Sequence, residues 1–229
     1  MPSIVRAACL LSCALALLPA HADGLSGDVV LTSDYLFRGV SQSQGDPALQ
    51  AGLRYTHASG AYVAGWTSNI DYGPGFEDVD REFDAMVGIE RTLGTVSLDL
   101  SYARYLYPGA RPHDALDYSE WLLTAGVGER VSATFGWTPD VFASGTSGTY
   151  LQLAYTYPVG RDISLRAALG EYRFGGPLAD YRHAELGAAW SRGRWEGRVT
   201  WHATSDAARD NFGAQAARGL VEVAVKAGF

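Results

Sequence analysis

The sequence predicts an all-β fold: a single antiparallel transmembrane β-barrel of twelve strands. Three observations predict it. Apolar and polar residues alternate with period two through twelve successive segments, as in strands whose two faces meet different surroundings. Most of these segments approach the roughly 9–11 residues that a tilted strand needs to cross a bilayer. Their connections alternate between tight turns and long polar loops, as in bacterial outer-membrane barrels.

Residues 1–22 read as a cleavable signal peptide, which leaves residues 23–229 as one barrel domain. Arg6 gives a positive start, an apolar run from Ala7 to Leu18 follows, and Ala20, His21 and Ala22 form an A-x-A cleavage site. Such a run is shorter than the roughly 20 residues of a membrane-spanning helix. Both cysteines, Cys9 and Cys13, fall in this segment, so the mature domain does not rely on disulfides. The whole chain carries 18 Lys and Arg against 25 Asp and Glu, a net charge of −7, and loss of Arg6 makes it one unit more negative. That balance argues against nucleic acid as a partner.

Strands are expected near residues 25–38, 48–58, 61–70, 81–92, 95–106, 118–128, 131–138, 149–157, 163–173, 181–191, 195–203 and 219–229. The last is the clearest: Val221, Val223, Val225, Ala227 and Phe229 share one face, against Glu222, Ala224, Lys226 and Gly228. Tight turns are expected at 59–60, 93–94, 129–130, 158–162 and 192–194. Long loops are expected at 39–47, 71–80, 107–117, 139–148, 174–180 and 204–218. Helical patterning is absent.

Leu, Val and aromatic residues dominate one parity; charged and small residues occupy the other. The first suits lipid and the second a narrow, wet lumen. The residues expected to line the pore are Asp34, Arg38, Arg54, Glu90, Asp99, Arg166, Glu185, Glu196, Arg198, Glu222 and Lys226. Asp28, Glu82, Asp84 and Glu120 share their parity, so acids outnumber bases inside. An aromatic girdle is expected beside the short turns (Tyr55, Tyr62, Tyr157, Trp190 and Trp195). A second is expected near the long loops (Tyr35, Phe37, Trp66, Tyr105, Tyr107, Tyr118 and Trp121). A final strand ending in Phe229 resembles the signal recognised by barrel-assembly machinery, although Ala227 stands where an aromatic is common.

The run over residues 33–50, SDYLFRGVSQSQGDPALQ, resembles the signature of the TorF family of porin-like proteins. Supporting segments follow in the same order: 66–71, Tyr107 with Pro108 and Gly109, 117–120, and 155–158. The resemblance covers essentially the whole mature chain. It implies an outer-membrane barrel with a transport role, brings no catalytic residues and leaves the solute undefined. Within the run, Asp34 and Arg38 share a parity and are expected to pair near the outer mouth. The pair reads either as a charged constriction or as a salt bridge stabilising the first hairpin.

No catalytic site, metal site or cofactor is expected. His183 and Glu185 share a face, but no triad partner can be placed beside them, and His202 has no second ligand at metal spacing. Arg192, Arg194 and Arg198 cluster at a short turn and read as a solvated hairpin. The sequence thus points to a non-enzymatic outer-membrane channel for small hydrophilic solutes or ions. Its expected partners are outer-membrane lipid, the assembly machinery and the solutes themselves. The alternatives are a plugged structural or adhesive barrel and, less well supported, a barrel hydrolase.

Overall fold

The computed structural model describes residues 23–110 and 116–229. The signal segment 1–22 and His113 lie outside these described residues. Twelve long strands form one closed antiparallel barrel. They are β1 (Gly24–Thr32), β4 (Ala48–Thr56), β5 (Ala61–Asn69), β6 (Arg81–Leu93), β7 (Val96–Leu106) and β8 (Tyr118–Val127), followed by β9 (Val131–Thr138), β10 (Gly148–Pro158), β11 (Ile163–Phe174), β12 (Tyr181–Arg192), β13 (Trp195–Thr204) and β14 (Leu220–Gly228). Each pairs with its neighbour, and β1 closes the ring on β14, with Asp28 opposite Gly228 and Thr32 opposite Ala224. Closure joins the first strand to the last, so backbone groups pair between neighbouring strands away from water.

The parity of each strand decides which environment a side chain meets. Leu100, Val199, Trp201, Val221, Val223 and Val225 point outward and are exposed, while Glu90, Asp99, Glu185, Glu196, Arg198 and Glu222 are buried inside. This inverts the rule for water-soluble proteins, where apolar side chains sit inside. An apolar exterior on a closed barrel is what a bilayer solvates. Phe229 is the most exposed of these side chains, at 72 %. Its N–H donates to Gly27 O at 2.9 Å, tying the last residue to the first strand.

Four expectations require correction. The first strand does not run to residue 38: the chain leaves the wall after Thr32 and turns into the barrel. There it forms a small hairpin of β2 (Leu36–Phe37) and β3 (Val40–Ser41). Residues 34–43 are buried on every side, so alternation has no meaning there. The second correction concerns the girdle beside the long loops. Of its seven aromatics only Trp121 faces outward; Tyr35, Phe37, Trp66, Tyr105, Tyr107 and Tyr118 are buried inside. At the short turns Tyr55, Tyr157, Trp190 and Trp195 do face outward, but Tyr62 points in and donates to Asp99 Oδ1 at 2.9 Å. Third, the segment read as loop 204–218 contains a short helix, α1 (Asp206–Phe212), that packs its Ala208 inward. Fourth, the lumen is not uniformly wet and narrow, because its long-loop half is filled with side chains.

Candidate functional site: the inward hairpin and the charged interior

The hairpin turns on two residues, Arg38 and Gly39, with φ of 52° and 83°. Positive φ at both central positions belongs to the tight hairpin turns whose twist matches the strands. Glycine adopts it freely; arginine does so at a cost that its surroundings must offset. Those surroundings are dense. Arg38 Nη2 donates to Glu120 Oε2 at 2.7 Å, and the Arg38 guanidinium lies 4.0 Å from the Tyr150 ring centre and 4.6 Å from those of Phe37 and Tyr172. The Tyr181 hydroxyl donates to Arg38 O at 3.2 Å. Gly136 on the far wall makes room: a Cβ there would lie 2.7 Å from Glu120 Oε1.

Arg38 and Asp34 do not pair, contrary to expectation. Asp34 Oδ1 instead accepts from the hydroxyls of Ser41 (2.6 Å) and Ser43 (3.0 Å), which stitches the base of the hairpin together. The Ser41 N–H donates to Ala216 O at 2.8 Å, and Gln215 Nε2 donates to Gln44 O at 2.9 Å. On the other side the Asp71 N–H donates to Gln42 O at 2.8 Å. Two apolar clusters grip the hairpin. One gathers Tyr35 and Phe37 with Trp66, Tyr105 and Tyr118; the other gathers Val40 with Val141, Tyr150, Tyr172 and Tyr181.

The short-turn half is organised by ion pairs. Arg54 lies over the Tyr62 ring (3.5 Å), meets Glu90 Oε2 at 2.5 Å and approaches Asp99 Oδ2 at 4.0 Å. Glu90 and Asp99 are register partners on β6 and β7. Lys226 meets Glu196 Oε2 at 3.2 Å. Midway, Arg198 meets Glu222 Oε1 at 2.8 Å, and the Thr32 hydroxyl donates to the same oxygen at 2.7 Å. Arg166, half-buried, donates to Gln152 Oε1 at 3.4 Å. Glu185 lies 3.6 Å from His183 Nδ1, and the other nitrogen of that ring is 2.9 Å from the Tyr150 hydroxyl. Among the described residues, no group of three or more His, Cys, Asp or Glu is placed to hold a metal ion.

All eleven residues proposed from sequence therefore point to the interior, in separate groups rather than one site. Sequence reasoning left Glu120 out of the site proper, although it lies in the 117–120 segment and shares the inward parity of Tyr118. It also missed the ring box of Tyr150 and Tyr172 around Arg38, because partners so distant along the chain leave no local pattern.

A family model described as "Bacterial protein of unknown function (Gcw_chp)" matches residues 18–225. Among curated proteins, none matches by sequence. Several solved structures share the fold at low identity. The KdgM porin aligns with a TM-score of 0.57 at 10 % identity, covering 89 % of this chain and 99 % of that one. The same porin "in complex with disordered oligogalacturonate" gives 0.58 at 9 % identity, with coverage of 89 % and 99 %. The NanC porin gives 0.53 at 8 % identity, covering 90 % and 98 %. Their likeness concerns the barrel fold.

Proposed function

Since the chain belongs to the Gcw_chp family of bacterial proteins of unknown function and has a porin-type barrel, we propose that it is a small outer-membrane channel. Small hydrophilic solutes or ions would cross it by passive diffusion, without chemistry. The long loops then face outward and the short turns face the periplasm, the usual arrangement of such barrels. Its partners would be outer-membrane lipid around the apolar exterior and the assembly machinery that reads the strand ending in Phe229.

One observation carries this reading: a closed barrel with a lipid-type exterior encloses charged residues and a chain segment folded inward. That segment, within residues 33–50, is the same run that resembles the TorF signature. Its position supports a role as the constriction, which narrows the lumen and leaves the short-turn half as an ion-paired vestibule.

The interior balance supports a cation preference. Asp28, Asp34, Glu82, Asp84, Glu90, Asp99, Glu120, Glu185, Glu196 and Glu222 face Arg38, Arg54, Arg166, Arg198 and Lys226. An excess of acids between low-dielectric walls raises the local cation concentration. By the same reasoning an acidic oligosaccharide, the ligand named for KdgM, is a poor solute here.

Planar-bilayer recording of the refolded protein under a salt gradient tests the reading. It predicts a small conductance with a reversal potential on the cation side; anion preference would contradict the charge argument. A second reading, a plugged structural barrel, is favoured by the grip of both apolar clusters on the hairpin. A silent protein would decide for it.

A further inference from the structure

Most buried carboxylates of the interior stand beside a cationic or histidine side chain. Glu120 has Arg38, Glu90 and Asp99 share Arg54, Glu222 has Arg198, Glu196 has Lys226, and Glu185 has His183. Glu82 and Asp84 differ. They sit two residues apart on the inner face of β6, both buried. No Arg, Lys or His among the described residues makes a salt bridge to either. The Tyr107 hydroxyl donates to Glu82 Oε1 at 3.2 Å, Tyr35 also hydrogen-bonds Glu82, and the Glu82 and Asp84 carboxyls interact with each other, which leaves Glu82 Oε2 and Asp84 Oδ1 with no other donor.

Aromatic rings surround this pair. Trp66 is the register partner of Asp84 on β5, Tyr35 packs on Trp66 with ring centres 5.3 Å apart, and Tyr72 packs on Tyr107 at 6.0 Å. Directly before β6, residues 71–80 carry Asp71, Glu77, Asp78 and Asp80 and no lysine or arginine. Two buried carboxylates thus stand side by side without a salt-bridge partner among the described residues, directly after an acidic long-loop segment. Leaving such charge uncompensated is costly in a low-dielectric interior.

We infer that Glu82 and Asp84, walled by Tyr35, Trp66 and Tyr107, bind a weakly hydrated monovalent cation of the potassium class and set the cation selectivity of the pore. The donor set argues for that class. Calcium takes about 6–8 oxygens, and magnesium keeps an ordered shell of water. Two carboxylates and a phenol beside ring faces suit an ion that loses its water readily and gains from aromatic faces. The inference rests on the channel reading for its selectivity half and on binding alone for the other.

The experiment uses the refolded full barrel, with potassium chloride and lithium chloride at equal concentration as probes. One readout is the unfolding temperature followed by tryptophan fluorescence; the other is the potassium-over-lithium permeability ratio. Potassium is expected to raise the unfolding temperature above its value in lithium, both for the native chain and for the exposed control Asp210→Asn on α1. In the isosteric double variant Glu82→Gln/Asp84→Asn that difference is lost, and the permeability ratio falls to the ratio of aqueous mobilities. Should the double variant fail to refold, Asp84→Asn alone must diminish the potassium effect. An unchanged potassium effect in these variants overturns the inference and leaves a pair that merely shares a proton. Conductance without a potassium-specific shift likewise removes the site while sparing the channel. A shift without conductance removes the channel and spares the site.

Discussion

The two halves of the barrel interior each hold an arginine, and the difference between them is instructive. In the long-loop half, Arg38 meets a single carboxylate, Glu120, and three ring faces, on a hairpin packed between two apolar clusters. In the short-turn half, Arg54 meets two carboxylates and one ring. The first arrangement is core-like: removing any member leaves a charge or a hole with nothing to replace it. The second is a polar lining, and half-buried Arg166 and Lys226 occupy the same half of the barrel. One chain therefore builds a packed half above and a charged, polar half below from the same alternating strands.

Substitutions can break or sharpen that comparison. The largest effect is expected from Arg38→Ala. It strands Glu120, fully buried, and loss of one partner of a buried pair typically costs about 3–5 kcal/mol. Urea unfolding of the refolded barrel would measure it, and the double change Arg38→Met with Glu120→Gln should recover much of the loss. Gly136→Ala comes next. Its Cβ would lie 2.7 Å from Glu120 Oε1 and 3.1 Å from Arg38 Nη2, a crowding of the kind that costs about 1–3 kcal/mol. Arg54→Ala is expected to cost less than Arg38→Ala, about 1.5–3 kcal/mol for a charge-assisted hydrogen bond, with the lower end favoured by the polar surroundings. Its clearer signature is electrical, since the released Glu90 and Asp99 should move the reversal potential further toward cations. Equal losses for Arg38→Ala and Arg54→Ala would erase the distinction between the halves.

The barrel was legible in the sequence because lipid and lumen impose opposite demands on alternate residues. Strands such as β14 therefore announce themselves through Val221, Val223 and Val225 against Glu222 and Lys226. The inward hairpin was not legible. Residues 34–38 continue the alternation of β1 by accident, and a segment buried on all sides obeys no period. The Arg38-Gly39 turn was a local signal that could have ended the strand, since Leu36-Phe37 and Val40-Ser41 flank a glycine-containing two-residue loop. The outer girdle failed for a different reason. Tyr105 shares the parity of Asp99, and Tyr118 that of Glu120, so alternation already placed both inside; position near a strand end was the weaker guide. The Asp34–Arg38 pairing failed because spacing along a strand says nothing once the strand has turned into a hairpin, where Ser41 and Ser43 fold back onto Asp34.

The claim that residues 33–47 form the constriction is tested most directly by single-channel conductance after their removal. Thr32 and Ala48 lie opposite each other on β1 and β4, so a short glycine turn in place of residues 34–46 can join the two strands without disturbing the wall. Bilayer recordings of this variant, side by side with the intact protein, should show a several-fold larger conductance with weaker discrimination among ions. An unchanged conductance in a barrel that still folds would contradict the account, because the hairpin would then not limit the path.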